Sequence, residues 1–137
     1  MTTLDRLIGT WELTMQHVAM AEPIRGRETY RSILDGAFVE MARTYDHPDF
    51  PDALAIWSET RSYYFDVRGV VRVFEHRFSD SGWSAQRASD GEAFAQRQTA
   101  TFTTPDLIDG VGEMSHDDGA TWQHDYTIRL ERAGSGG

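Results

Sequence analysis

The chain is a succession of short segments in which apolar and polar residues alternate, separated by turn-forming residues. In the first segment, from Trp11 to His17, Trp, Leu, Met and His occupy every second position. A period of two is typical of a β-strand with one buried face. About ten such segments follow one another along the chain, joined by short turns, which predicts antiparallel strands in up-and-down order. Asp-Gly and Ser-Gly pairs between them supply the positive φ angles that tight hairpins need.

A sheet of this many strands in a chain of 137 residues has to curl, and closing on itself removes its exposed edges. We therefore predict an all-β fold: a single closed or nearly closed antiparallel up-and-down barrel of about ten strands, formed by residues 1–132. Such a barrel encloses room for one small ligand. The predicted strands are 11–17, 25–32, 38–45, 54–57, 62–67, 70–78, 83–87, 94–102, 107–114 and 122–132.

The two ends of the chain depart from this pattern. Leu4, Leu7 and Ile8 share one helical face, with Thr3 placed to cap the turn and Gly9 to end it. They predict a short N-terminal helix that plugs one end of the barrel. Residues 133–137 read Ala-Gly-Ser-Gly-Gly, which indicates a flexible tail, either a linker or a remnant of cloning.

Composition narrows the partners. The formal net charge is −9, from 22 acidic and 13 basic side chains, so we expect neither nucleic acid nor an anionic membrane as a partner. There is no cysteine, which excludes disulfides and thiol nucleophiles. The first residues lack the features of a signal peptide, and no apolar run is long enough to span a membrane, so we expect a cytoplasmic protein. A monomer and a homodimer are both compatible with the sequence.

Several polar residues continue strand faces that also carry aromatic side chains. His17 continues the face of Trp11 and Met15, and His124 continues that of Tyr126. Polar groups among aromatic rings are what a pocket uses to orient a small molecule. Alternation leaves the facing of Glu40, Glu113 and His76 open. The predicted ligand-binding residues are Trp11, Met15, His17, Glu28, Tyr30, Gln96, Gln98, Glu113, His124 and Tyr126.

One further prediction concerns the geometry of the site. First and last strands are neighbours in a closed barrel, so we expect His17, Glu28 and His124 to point into one shared cavity. No histidine pair has His-x-His or His-x-x-x-His spacing, so no metal site is predicted. A separate motif, Ser115-x-Asp117-x-Gly119-x-Thr121-Trp122, fits the Asp-box pattern, and we interpret it as a structural brace of one hairpin.

The same residues resemble a known group. Leu4-x-x-Leu7-Ile8-Gly9-Thr10-Trp11 is similar to the opening of lipocalin-like barrels (the calycins), and the rest resembles bacterial lipocalin-like proteins of the DUF1579 type. The resemblance implies a barrel and no settled activity. The nitrobindins are more distantly similar, and they imply haem binding through a histidine of the last strand, here His124. The pieces that carry the resemblance are 64–70, 94–97, 112–119 and 122–126.

Three functions stay open. The first is binding of a small apolar or aromatic molecule inside the barrel, without a cofactor. The second is a cofactor-free enzyme, an isomerase, cyclase or dehydratase, in which a cavity histidine and a carboxylate share acid–base work. The third is haem binding through His124.

Overall fold

The protein is described by a computed structural model that covers residues 4–89 and 93–134. The prediction of a closed all-β barrel is confirmed: the described residues form ten antiparallel strands, each paired with its neighbours in the chain, and the first pairs with the last. The strands are β1 (Gly9–His17), β2 (Ile24–Ile33), β3 (Phe38–Tyr45), β4 (Ala53–Trp57), β5 (Arg61–Asp66), β6 (Val71–Ser79), β7 (Gly82–Arg87), β8 (Ala95–Thr104), β9 (Leu107–Ser115) and β10 (Gln123–Arg132).

Closure is made by β1 and β10. Their register runs from Trp11 opposite Arg132 to His17 opposite Tyr126, while the other edge of β1 pairs with β2. Each of the ten strands in the described ranges therefore has two partners, and none of them leaves an edge exposed for pairing with another chain.

One end of the barrel, here called the base, is filled by the N-terminal segment. Leu4, Leu7, Trp11 and Ile108 are buried there, and the ring of Trp11 packs edge-on against Phe102 with the centroids 6.4 Å apart. The other end, here called the mouth, is surrounded by the connections that include 18–23, 46–52, 67–70 and 116–122.

The predicted N-terminal helix is only a 3-10 turn, Asp5–Leu7, and a second 3-10 turn spans Leu34–Gly36. A segment this short cannot repay the cost of nucleating an α-helix. Burial of Leu4 and Leu7 and hydrogen bonds to its carbonyl groups hold it in place. Some predictions lie outside the described residues. They are the cap at Thr3, the turn at positions 90 and 91, and tail positions 135–137.

A single arginine ties the base together. Arg132, the last residue of β10, donates from Nε to the Asp106 carboxylate at 2.8 Å, from Nη1 to the Ile8 carbonyl at 2.8 Å and from Nη2 to the Arg6 carbonyl at 2.9 Å. Its guanidinium also lies 4.2 Å from the ring centroid of Trp11. The end of the last strand is thus joined to the segment that precedes the first.

A bulge in β10 overturns one orientation predicted from alternation. The register with β9 shifts between His124 and Tyr126, so an extra residue is inserted there. His124 consequently lies exposed on the outer surface opposite Glu113, and Asp125 is buried in its place. The inward orientation predicted for His124 is wrong because alternation assumes an uninterrupted pleat.

Glu113, whose facing alternation leaves open, lies on the outer surface as well. The inner positions of β9 are taken by Ile108, Gly110 and Gly112, and Glu113 accepts a hydrogen bond from Arg97 Nε on the outside at 2.8 Å. Glycines carry no side chain, so the inner face of this strand leaves no hydrophobic signal in the sequence.

None of the helical turns in the described ranges is long or apolar enough to cross a membrane.

Candidate functional site

A cavity of about 140 Å³ lies in the half of the barrel nearer the mouth. Five aromatic side chains line it: Tyr45, Trp57, Tyr64, Phe74 and Tyr126. Smaller apolar groups complete the wall, among them Met15, Met41, Ala55 and Ile128. The polar lining residues are Arg43, Ser62, Arg72, His76, Gln96 and Gln98. A wall that combines aromatic and other apolar side chains with polar groups is the composition of a small-molecule site.

A smaller void of about 40 Å³ lies closer to the base, and Glu28 and Tyr30 line it. Glu28 is only 1% exposed, and its carboxylate accepts from the Tyr30 hydroxyl at 2.7 Å and from Arg43 Nε at 2.6 Å. Burial, and after it the charge of Glu28, raises the pKa of the Tyr30 phenol well above its ordinary value. The carboxylate is therefore paired and hydrogen-bonded within the protein, and Arg43 connects this void to the larger cavity.

Three consecutive strands, β4, β5 and β6, each contribute a polar side chain to one cluster in the cavity wall. Ser62 on β5 lies directly opposite Trp57 on β4, and its Oγ is 2.7 Å from Nε2 of His76 on β6. The imidazole of His76 packs edge-on against the indole of Trp57, with ring centroids 4.7 Å apart. Burial lowers the pKa of His76 to about 4, so the ring is neutral at pH 7.

The ring of Tyr126 is placed by a glycine on the neighbouring strand. It packs directly on the backbone of Gly112, where a Cβ atom would collide with the ring carbons. Only glycine permits this close approach. The bulge that turns His124 outward precedes Tyr126, so the same irregularity sets which β10 side chains face the cavity.

Four predicted site residues lie outside the cavity wall: Trp11, His17, Glu113 and His124. Trp11 is fully buried at the base, where its Nε1 donates to the Leu7 carbonyl at 2.8 Å. His17 lies at the rim of the mouth, with Nε2 3.1 Å from the Asp125 carboxylate and its ring 5.5 Å from that of Phe50. Because His17 is at the rim and His124 is outside, the predicted cavity shared by His17, Glu28 and His124 is wrong.

The other predicted residues are inside. Met15, Gln96, Gln98 and Tyr126 line the larger cavity, and Gln98 and Tyr126 also line the lower void with Glu28 and Tyr30. Gln96 is oriented by Arg87, whose Nε donates to its Oε1 at 2.6 Å. Whether any of them binds a ligand stays a prediction.

Sequence reasoning missed most of the wall contributed by β3 to β6. Arg43 and Tyr45 could have been found, since they alternate with Ala42 and Thr44 and continue the face of Val39 and Met41. The other polar and aromatic residues that were missed are Trp57, Ser62, Tyr64, Arg72 and Phe74, and alternation leaves the facing of His76 open.

The Asp-box segment has the contacts of the brace that the sequence predicts. Ser115 Oγ donates to the Asp117 carboxylate at 2.7 Å and accepts from the Gly119 N–H at 2.8 Å, while Asp117 accepts from the Thr121 N–H at 2.8 Å. Hydrogen bonds from Thr121 first, and from Ser115, lower the pKa of Asp117 to about 2. These contacts close the connection between β9 and β10 without involving the cavity.

No family model matches the chain, and no curated protein matches it. Solved structures do match in fold. The S-type phycobiliprotein lyase CPES from Guillardia theta superimposes with a TM-score of 0.61 at 14% identity, covering 96% of this chain and 93% of the lyase. The redesigned β-barrel mFAP1, solved bound to DFHBI, gives a TM-score of 0.51 at 14% identity, covering 96% of this chain and 100% of the design. Identity this low shows a shared barrel fold alone.

Proposed function

We propose that the protein binds a small molecule with a single aromatic ring in the cavity at the mouth-side half of the barrel. The observation that carries the proposal is the cavity itself, about 140 Å³ in volume and walled by five aromatic side chains with polar groups between them. An apolar protein cavity of about 150 Å³ accepts benzene, so this volume suits one ring with one or two substituents.

The fold neighbours support binding as the general role. mFAP1 is a barrel of the same architecture solved with DFHBI bound, and the other neighbour is a phycobiliprotein lyase. We also propose that the chain is related to the lipocalin-like proteins of the DUF1579 type. We propose further that it is a cytoplasmic protein and forms a monomer or a homodimer. Its net charge of −9 disfavours nucleic acid and anionic membranes as partners.

The two alternatives have less support. An acid–base enzyme needs a histidine and a carboxylate on one substrate, yet His76 bonds to Ser62 while Glu28 is held by Tyr30 and Arg43. Haem binding through His124 would need that ring inside the barrel, whereas it is exposed on the outer surface. A haem is also several times larger than the cavity.

Binding can be tested with toluene, phenol and aniline, followed by ligand-observed NMR. We expect saturable binding with dissociation constants of about 0.1–1 mM, since so few atoms can contribute only about 4–6 kcal/mol. Ala55→Leu, which fills the cavity, should weaken binding at least tenfold. Ala42→Leu is the matched control, because Ala42 lies on the outer face of the adjacent strand and should leave binding unchanged.

A second measurement needs no substitution. The methyl groups of Met15 and Met41 face the cavity, so their ¹³C-methyl signals should shift on binding. Absence of saturable binding for all three compounds, or binding that is indifferent to Ala55→Leu, would contradict the proposal.

A further inference from the structure

Two residues that line the cavity each carry a buried polar atom that no protein group satisfies. Within the described ranges, Trp57 Nε1 and His76 Nδ1 have no hydrogen-bond partner. Both side chains are only 6% exposed, and both line the 140 Å³ cavity. Leaving a buried donor or acceptor unpaired costs about 1–3 kcal/mol, and folded proteins rarely leave such groups unpaired. Two of them on touching rings indicate a position where a guest completes the bonding.

The chemistry of the two atoms restricts that guest. An indole N–H can only donate, so the atom that meets Trp57 has to accept. The neutral imidazole of His76 presents either a donor or an acceptor at Nδ1, because the hydroxyl of Ser62 can accept from Nε2 or donate to it. One oxygen that accepts from Trp57 and can either donate to or accept from His76 is a hydroxyl.

Charge favours a neutral hydroxyl over a carboxylate. Trp57, Ser62 and His76 carry no net charge at pH 7. Of the two arginines that line the cavity, Arg43 is paired with Glu28 at 2.6 Å, and the guanidinium of Arg72 lies over the ring of Phe94, 5.3 Å from its centroid. A carboxylate bound at the Trp57 end would be buried without a counter-charge supplied by this cluster, which is costly. A neutral hydroxyl carries no such penalty.

We propose that Trp57, Ser62 and His76 form an anchor for the hydroxyl group of a phenol-type ligand whose ring occupies the aromatic cavity. Trp57 Nε1 donates to the hydroxyl oxygen, and His76 Nδ1 completes its bonding. Ser62 acts through His76: its Oγ holds the imidazole in place and sets which nitrogen carries the proton. This inference rests on the proposed function and adds the chemical class of the ligand.

Phenol and toluene provide the test, because they have nearly the same size and differ by the hydroxyl. We expect phenol to bind about 10–100-fold more tightly than toluene, as one or two buried hydrogen bonds would give. In ¹H–¹⁵N spectra the indole N–H of Trp57 should move downfield with phenol and much less with toluene. This readout uses the unaltered protein.

Substitutions localise the effect. Trp57→Phe and His76→Phe should each reduce the preference for phenol to about threefold or less while toluene still binds. Trp122→Phe is the control, since Trp122 lies on the outer surface over Arg97, 4.3 Å from its guanidinium, and should keep the full preference.

The outcomes separate the two proposals. Equal binding of phenol and toluene, or a preference that survives Trp57→Phe, would overturn the anchor and leave ring binding intact. Failure of both compounds to bind would overturn ring binding, and the anchor with it. A shifted indole N–H with a preference for phenol would support both.

Discussion

At the scale of single residues, the barrel interior is organised around one carboxylate. Glu28 is 2% exposed at its side chain, and it is held by the hydroxyl of Tyr30 and the guanidinium of Arg43, which keeps 22% exposure through the cavity. Such a pair contributes little net stability compared with apolar residues, yet breaking it leaves a buried charge unpaired. Its evident role is to hold Arg43 between the lower void and the larger cavity.

Glu28→Gln should therefore lower the free energy of unfolding by about 2–4 kcal/mol, because Arg43 loses its counter-charge while remaining largely buried. Chemical denaturation measures the change. The matched control is Glu12→Gln, which removes the carboxylate of the exposed pair between Glu12 and Arg27 at 2.7 Å. We expect that substitution to cost less than about 1 kcal/mol. Similar losses for the two variants would show that burial of Glu28 has no special consequence.

At the scale of strands, the closure of the barrel depends on the ends of β1 and β10. Arg132 makes bonds to a carboxylate and to two carbonyls of the N-terminal segment, and it stacks on Trp11. A planar guanidinium can satisfy all of these directions at once, whereas an ammonium group cannot.

Arg132→Lys should destabilise the fold by about 1–2 kcal/mol, since the charge remains but two hydrogen bonds and the stacking contact are lost. Amide hydrogen exchange should also accelerate at Thr10 and Trp11, next to the pairing of β1 with β10. Arg129→Lys is the control on the same strand, because Arg129 forms an exposed pair with Asp109 at 2.9 Å and should change stability by less than about 0.5 kcal/mol. Equal effects of the two substitutions would show that the contacts of Arg132 with the N-terminal segment do not stabilise the closed barrel.

The regularity of the alternation along each strand explains which side-chain orientations the sequence could predict. On β1 and β2 the alternation is unbroken and the inner face is the more apolar one, so Met15, Glu28 and Tyr30 were placed correctly. The number of strands and their order followed from the turns. The barrel itself followed from the need to remove sheet edges.

The errors and omissions have physical causes of their own. On β5 and β6 the outer face is as apolar as the inner one: Phe65 and Val73 are exposed while Ser62 and His76 are buried. Polarity therefore gives no direction there, and the anchor residues could not be found. On β9 the inner glycines, and on β10 the bulge, interrupt the alternation of apolar and polar residues. The glycines and the bulge are set by contacts between strands and not by local preference, so alternation does not reveal them.

At the scale of the whole molecule, stability is linked to pH through a few groups with shifted pKa values. His76 has a pKa of about 4 in the folded protein, against an ordinary value of 6.5. Asp66 and Asp117 have pKa values of about 2. For Asp66 the first cause is the hydrogen bond from Arg68, and for Asp117 it is the hydrogen bond from Thr121. The histidine and the carboxylates act in different pH ranges.

The sign for His76 follows from proton counts. Between pH 6.5 and pH 4 the unfolded chain binds a proton at this imidazole and the folded protein does not, so acid favours unfolding. The contribution is fully present above pH 6.5, declines as the pH falls to about 4 and is constant below that. A shift of this size corresponds to about 3 kcal/mol. Asp66 and Asp117 stabilise the fold above about pH 4, and their contributions disappear as the pH falls toward 2.

We therefore expect the free energy of unfolding, measured by chemical denaturation at half-unit pH intervals, to fall in two stages. His76→Gln should flatten the stage between pH 6.5 and 4 by about 3 kcal/mol relative to the unaltered protein and leave the stage below pH 4 in place. His116→Gln, which removes an exposed histidine from the connection between β9 and β10, should leave the stage between pH 6.5 and 4 unchanged. Because the two variants and the unaltered protein share every other titrating group, the difference between their curves isolates His76. Parallel curves for His76→Gln and the unaltered protein above pH 4 would mean that the imidazole takes up its proton in the same pH range in the folded and the unfolded chain, so that burial does not lower its pKa.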